Sequence, residues 1–173
     1  MYSFLKNPKT QNYLRFKKIV QSSSVPWYYT EKTILSQNNK NDFPYYSHSI
    51  LSRPLSANRN VTKIDSTLFE DAHVVIKEIL EKNKINLNVL LRINLNSTFD
   101  WHTNTNEYHT DFNFPHNNLI IYLSSFTKGQ TIVNDKSLDV KEDDVLSFDG
   151  LLKHKNKTPN KYERRIVMVV CYI

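Results

Sequence analysis

The sequence predicts a mainly β protein with flanking helices, its strands arranged antiparallel as a sandwich or jelly roll. Three observations carry that expectation. Short segments rich in β-branched and aromatic residues recur at about 107–112, 118–124, 130–134, 137–140, 144–148 and 164–172, with no helical pattern between them. The stretch 86–96 ends in clean alternation, with Leu91, Ile93 and Leu95 on one face and Arg92, Asn94 and Asn96 on the other. Helical periodicity is confined to the first half of the chain.

The 173 residues read as one domain, 1–173, in which 1–86 supply supporting helices and loops and 87–173 form the β core. Hydrophobic residues make up 39% and aromatics 12%, which excludes an intrinsically disordered chain. No run approaches the roughly 18 apolar residues of a membrane span. The start, Met1 to Pro8, lacks the apolar centre of a signal peptide. One cysteine, Cys171, excludes an intramolecular disulfide and suits a reducing compartment, so the expected location is cytoplasmic, with no membrane partner. The net charge of +6 permits an acidic partner, but the basic residues are scattered apart from the run that ends in Arg164 and Arg165. An ordinary solvated surface is favoured, and nucleic acid stays open as the less favoured partner.

In chain order, residues 8–20 suit a short amphipathic helix with Tyr13, Phe16, Ile19 and Val20 near one face. Val25 to Tyr29 follows as an extended segment containing Pro26, and 36–47 reads as a polar loop suited to a lid. The stretch 50–60 shows no clear period. A second helix is expected to start from Asp65 or Ser66 as N-cap and to run to about Lys82, burying Leu68, Ala72, Val75, Ile76, Ile79 and Leu80. The two glycines, Gly129 and Gly150, fall in predicted turns, at backbone positions other residues should tolerate poorly.

The chemistry concentrates in His109-Thr-Asp111 and His154. On a strand, His109 and Asp111 project from one face while Thr110 points away. His154 follows a strand that runs into a turn, and if the two segments are neighbours it adds a third ligand. Two imidazoles and a carboxylate occupy one face of an octahedron and leave three positions open. That set suits Fe(II), Mn(II) or Co(II), and the residues alone leave the metal undecided. The bland alternative is a hydrogen-bonded surface pair at His109 and Asp111 with His154 in a loop. His116 competes as a ligand, although its Asn-rich setting suggests exposure. Trp27, Tyr28, Tyr45, Tyr46, Trp101, His102, Asn104 and Asn106 are candidates for the entrance to a site.

These runs resemble a known family. His109-Thr-Asp111, Leu119-Ile-Ile-Tyr-Leu-Ser124, Gly129-Gln-Thr131, Val145-Leu-Ser-Phe148, His154 and Arg165-Ile-Val-Met-Val-Val170 are similar to the 2-oxoglutarate- and Fe(II)-dependent oxygenases, in particular prolyl-4-hydroxylase-like members. Val25 to Tyr29 and Leu91 to Leu95 look like small bacteriophage members of that superfamily. The resemblance implies a double-stranded β-helix (jelly roll, cupin-like) core, with Fe(II), 2-oxoglutarate as co-substrate and O2. It implies His109, Asp111 and His154 as catalytic metal ligands. Arg165 is implied as partner of the distal carboxylate of 2-oxoglutarate, with Arg164 as the alternative. Tyr122 is implied as a hydroxyl assisting that carboxylate. A planar guanidinium fork matches a carboxylate and keeps its charge when buried, which makes physical sense of the arginine. Two departures touch no implied ligand: Lys128 stands where the family's Gly-Gly-x-Thr turn begins, and Cys171 where the best-known prolyl hydroxylases carry tryptophan. The implied activity is hydroxylation of a protein side chain or small molecule. The alternatives are a jelly-roll binding or structural protein without turnover, and a nucleic-acid demethylase using the same chemistry.

Overall fold

The computed structural model describes residues 1–31, 43–54, 61–100 and 105–173. The first half of the chain supplies β1 (Tyr2–Leu5), α1 (Gln11–Gln21), β2 (Tyr28–Thr30), β3 (Tyr45–Ser52), β4 (Lys63–Ile64) and α2 (Phe69–Lys82). The second half supplies β5 (Leu90–Thr98), β6 (Asn117–Tyr122), β7 (Thr131–Val133), β8 (Lys136–Leu138), β9 (Val145–Asp149), β10 (His154–Asn156) and β11 (Arg165–Tyr172). A larger antiparallel sheet runs β1-β9-β6-β11-β5-β3-β2, with β4 paired to β3, and a smaller one runs β10-β7-β8. The N-terminal half therefore contributes strands to the large sheet as well as the helices and loops expected of it.

The central strand β11 shows why the two faces differ. Ile166, Met168, Val170 and Tyr172 point to one side, where they pack with Tyr13, Phe16 and Val20 of α1 and with Ala72, Val75, Ile76, Ile79 and Leu80 of α2. Val167 and Val169 point to the other side and join Ile120, Leu146 and Phe148 with Val133 and Leu138 of the small sheet. Both faces of the strand are covered, so its sequence is continuously apolar where a half-exposed strand would alternate. Each fully buried Ile, Val or Phe contributes about 1.5–3 kcal/mol relative to exposure.

Helix α1 begins at Gln11, three residues inside the expected stretch 8–20. Thr10 is its N-cap, accepting a hydrogen bond from the Tyr13 amide at 3.2 Å. Helix α2 starts later than expected. Its N-cap is Leu68, because Ser66 Oγ accepts from the Leu68 amide at 3.1 Å and also meets His48 Nε2 at 2.7 Å, and Asp65 accepts from Ser49 Oγ at 3.0 Å. Both expected caps belong to the turn before the helix. The expected strand at 107–112 is reduced to a single antiparallel bridge between His109 and His154. Strand β3 lies partly in the stretch without period, and its register slips between Ser49 and Leu51, which destroys the alternation. Of the expected loop at 36–47, residues 36–42 lie outside the described residues. Among the described residues, no helix is long and apolar enough to cross a membrane.

The N-terminal segment is tied to the turn before β9 through Asp143. Its carboxylate accepts from Tyr13 Oη at 2.7 Å, Lys17 Nζ at 2.5 Å and Lys9 Nζ at 2.9 Å. Burial alone would raise the Asp143 carboxyl, but hydrogen bonds from Lys17, Lys9 and Tyr13 outweigh it and hold it at about 2. A carboxyl lowered by folding stabilises the protein above its unfolded value near 4, and that contribution disappears as pH falls from about 4 to about 2. Asp143→Asn should cost about 1–2 kcal/mol at neutral pH, since asparagine tolerates the backbone there (φ 70°). Urea unfolding of both proteins across pH 2–7 checks this: the difference between them should shrink inside that window and be constant above pH 5.

Candidate functional site

A cavity of about 290 Å³ opens between the sheets, and His109, Asp111, His154 and Arg165 all line it. His109 and His154 are brought together by the bridge between their backbones, with reciprocal amide bonds of 3.0 and 2.9 Å, and their ring centroids lie 4.5 Å apart. Each ring meets a nearby carbonyl through Nδ1, that of Glu107 for His109 and that of Leu152 for His154, both at 3.1 Å. A carbonyl oxygen only accepts, so Nδ1 must be the protonated nitrogen and Nε2 is left for the interior. Burial, and then the neighbouring His154, lower His109 to about 4, so its ring is neutral at pH 7.

Asp111 is the charged centre of this wall. Its Oδ2 lies 3.4 Å from His154 Nε2 and accepts from Asn118 Nδ2 at 3.1 Å. Its Oδ1 accepts from Arg92 Nη1 at 2.5 Å and Arg53 Nη2 at 2.8 Å. Burial would push the carboxyl up; His154, Arg92 and Arg53 outweigh it and keep it well below the usual range. With Oδ1 turned to the arginines, no three His, Cys, Asp or Glu side chains among the described residues already form a gathered metal-ion site. The donor set nevertheless fits a divalent cation: two imidazoles with their Nδ1 protons committed elsewhere, and an ionised carboxylate whose Oδ2 faces one Nε2.

Arg165 forms a second wall. It is 3% exposed, donates to Thr131 Oγ1 at 2.9 Å, and lies 5.3 Å from the Tyr122 ring centroid and 5.6 Å from that of Phe126. Among the described residues no carboxylate pairs with it, and burial pulls the guanidinium below its ordinary value. Its Nε is buried without a partner, as is Thr98 Oγ1, another group of the cavity wall. An anionic acceptor would satisfy both. Gly129 makes this placement sterically feasible, since a Cβ there would stand 2.9 Å from both Arg165 Cδ and the Phe126 ring.

Tyr122 is fully buried and is not part of the cavity wall; its hydroxyl meets Thr131 Oγ1 at 2.6 Å and so reaches the site through that threonine. Arg164 lies apart from this group, with Nε donating to Ser97 Oγ at 2.7 Å and the guanidinium 4.6 Å from the Trp27 ring. Tyr45 and Asn106 line the cavity, whereas Trp27, Tyr28 and Tyr46 do not. Trp101, His102 and Asn104 lie outside the described residues. His116 is buried, not exposed: its Nδ1 donates to the Phe114 carbonyl at 2.7 Å and its ring packs against Gly150. Cys171 is buried beside Leu91 and Phe112, and burial pushes its thiol up.

Sequence reasoning did not assign Arg53, Arg92, Asn118 or Thr131 to the site. The alternation at 91–96 placed Arg92 on a separate face from Leu91, but the side of the sheet holding the site had no marker. Lys128, the first departure from the family turn, has φ 63°, a left-handed conformation that glycine adopts without steric cost. Lys128→Gly should therefore stabilise the protein by about 0.5–1 kcal/mol, read as a shift of the urea midpoint at unchanged slope.

No protein-family model and no curated protein matches the chain. Solved structures do. A 2OG-Fe(II) oxygenase family oxidoreductase from Burkholderia pseudomallei superposes with a TM-score of 0.69 at 12% identity, covering 94% of this chain and 79% of its own. A prolyl hydroxylase from Trichoplax adhaerens, in complex with a hypoxia inducible factor peptide fragment, gives 0.62 at 11% identity, covering 99% and 83%. The non-heme alpha ketoglutarate dependent epimerase SnoN from nogalamycin biosynthesis gives 0.62 at 11% identity, covering 99% and 77%. At such identities the likeness is one of architecture, and it agrees with the mainly β, antiparallel, two-sheet arrangement: this chain has the double-stranded β-helix fold of the 2-oxoglutarate- and Fe(II)-dependent oxygenases.

Proposed function

We propose that the chain, working as a single domain, is a 2-oxoglutarate- and Fe(II)-dependent oxygenase that hydroxylates a small molecule or a protein side chain. The observation that carries this reading is Arg165, a buried guanidinium with no carboxylate partner among the described residues, facing the same cavity as His109, Asp111 and His154. A buried charge is costly unless something pairs with it, so an anion is the natural occupant.

His109, Asp111 and His154 would hold Fe(II), and Arg165 with Thr131 would hold the distal carboxylate of 2-oxoglutarate. When bound, that pair supplies O2 activation coupled to oxidative decarboxylation of 2-oxoglutarate to succinate and CO2. The protein's own contribution is positional. The Glu107 and Leu152 carbonyls fix the imidazole tautomers, Asn118 and the two arginines orient the Asp111 carboxylate, and Tyr122 orients the Thr131 hydroxyl toward Arg165. Val167, Val169 and Ile120 give the cavity an apolar side that limits water. The structural neighbours include one protein with a bound peptide and one from nogalamycin biosynthesis, which supports both substrate classes.

Anaerobic addition of Fe(II) and 2-oxoglutarate tests the reading. A weak visible charge-transfer band is expected in the wild type and absent in His154→Ala. Folded wild-type protein that gives no band, and whose metal binding is indifferent to His154→Ala, would leave a jelly-roll binder in its place.

A further inference from the structure

The cavity holds a second concentration of positive charge, separate from Arg165. Arg92 and Arg53 both donate to a single oxygen, Oδ1 of Asp111. Arg53 also lies 5.5 Å from the Phe112 ring centroid, whereas Arg165 touches Thr131, Tyr122 and Phe126. Lys155 lines the same cavity, its ammonium 4.2 Å from the Tyr108 ring centroid. Among the described lining residues, Arg53, Arg92, Lys155 and Arg165 therefore stand against one acid, Asp111.

A divalent cation on His109, Asp111 and His154 would draw on the carboxylate that serves both arginines. A dianionic co-substrate held by Arg165 cancels the charge of that cation. Arg92 and Arg53 remain on the cavity wall beside Asp111, where the molecule that enters third would meet them. Arg92 is the deeper of the pair, with its side chain 15% exposed against 39% for Arg53. A polymer's backbone phosphates meet a protein at its surface, so a group reaching Arg92 belongs to a small molecule.

We infer that Arg53 and Arg92, with Lys155, form a second anion subsite, and that the primary substrate is a small acid presenting a carboxylate, sulfonate or phosphate to it. This substrate class rests on the oxygenase reading; the subsite itself does not. The guanidinium forks match such oxyanions in pairs of hydrogen bonds, and Lys155 adds a point charge.

Methanesulfonate is a suitable probe, because it suits a guanidinium fork and ligates metal ions poorly. Protein loaded with Mn(II) and saturating 2-oxoglutarate is titrated with it, and broadening of the methyl proton resonance by Mn(II) reports binding near the metal. Saturable broadening is expected, weakened at least tenfold by Arg53→Gln, less by Arg53→Lys, and also by Lys155→Gln. Arg53→Gln is preferred to an Arg92 variant because its half-exposed side chain can be shortened without unfolding the wall. Broadening that does not saturate, or that ignores both glutamine variants, overturns the subsite. If Mn(II) or 2-oxoglutarate itself does not bind, the oxygenase reading falls separately. Calorimetric titration of the metal-free protein then decides the subsite: heat lost in Arg53→Gln supports it, and no heat in the wild type overturns it.

Discussion

Arg165→Met is expected to weaken 2-oxoglutarate binding at least a hundredfold while making the protein more stable. The two effects have one cause. In the free protein the guanidinium sits among Tyr122, Phe126 and Thr131, donating to the Thr131 hydroxyl at 2.9 Å and with an unpartnered Nε. Replacing a buried, uncompensated charge by an apolar side chain of similar length removes a desolvation penalty, and comparable replacements of buried ionic groups stabilise by about 1–4 kcal/mol. Bound carboxylate reverses the balance, since a charge-assisted fork in a dry site is worth about 3 kcal/mol or more, which is the hundredfold loss. Urea unfolding without ligand and anaerobic 2-oxoglutarate titration of Mn(II)-loaded protein give the two numbers. A structural arginine would show the opposite pattern, a stability loss with unchanged co-substrate affinity, and that result would remove the main support for the proposed function.

The same residue marks how far the sequence could be read. Strands with both faces covered announce themselves by unbroken apolar runs, so β6 and β11 were visible, and Arg165 stood out as the charge opening such a run. The fold class followed from strand spacing and from the absence of helical pattern after residue 86. What stayed hidden was decided by contacts between distant segments. Arg53 belongs to a stretch whose alternation is broken by the register slip in β3, so nothing local directs it toward Asp111, 58 residues later. Arg92 shares a face with two asparagines, a composition that reads as the wet side of a strand. In the fold that side is the cavity wall, and Arg92 and Asn96 both line it. Strand β1 has only four residues, too short for any period to show. Ser66 and Asp65 are good caps by type, but His48 and Ser49, arriving from β3, engage them in the turn before the helix. Local chemistry proposed the right residues there and tertiary contacts reassigned them.

His116 and Gly150 make the point sharpest, and they carry the largest expected change in stability. An Asn-rich neighbourhood suggests a solvated histidine. The ring is instead 5% exposed, held by its Nδ1 bond to Phe114 and packed edge-on against Phe112 with centroids 5.2 Å apart. Space for it exists only because residue 150 has no side chain. A Cβ there would fall 2.1 Å from His116 Nε2 and 2.3 and 2.4 Å from two ring carbons, although the backbone of Gly150 is not in the left-handed region. Gly150 is thus required for close approach and not for its conformational freedom. The Gly150 amide also donates to the His116 carbonyl at 2.9 Å, so the two segments cannot separate without losing that bond. Gly150→Ala should therefore cost about 2–4 kcal/mol by overpacking. Because the strained segments carry Asp111 on one side and His154 on the other, metal affinity should fall with stability. Removing the ring tests the cause: His116→Ala combined with Gly150→Ala should recover at least about 1 kcal/mol relative to the sum of the single changes, the coupling expected of side chains in direct contact. Additive single effects would mean that Gly150→Ala acts through its own turn, and the recovery of metal binding in the double variant, measured beside stability, separates strain transmitted to the site from a fault confined to the turn.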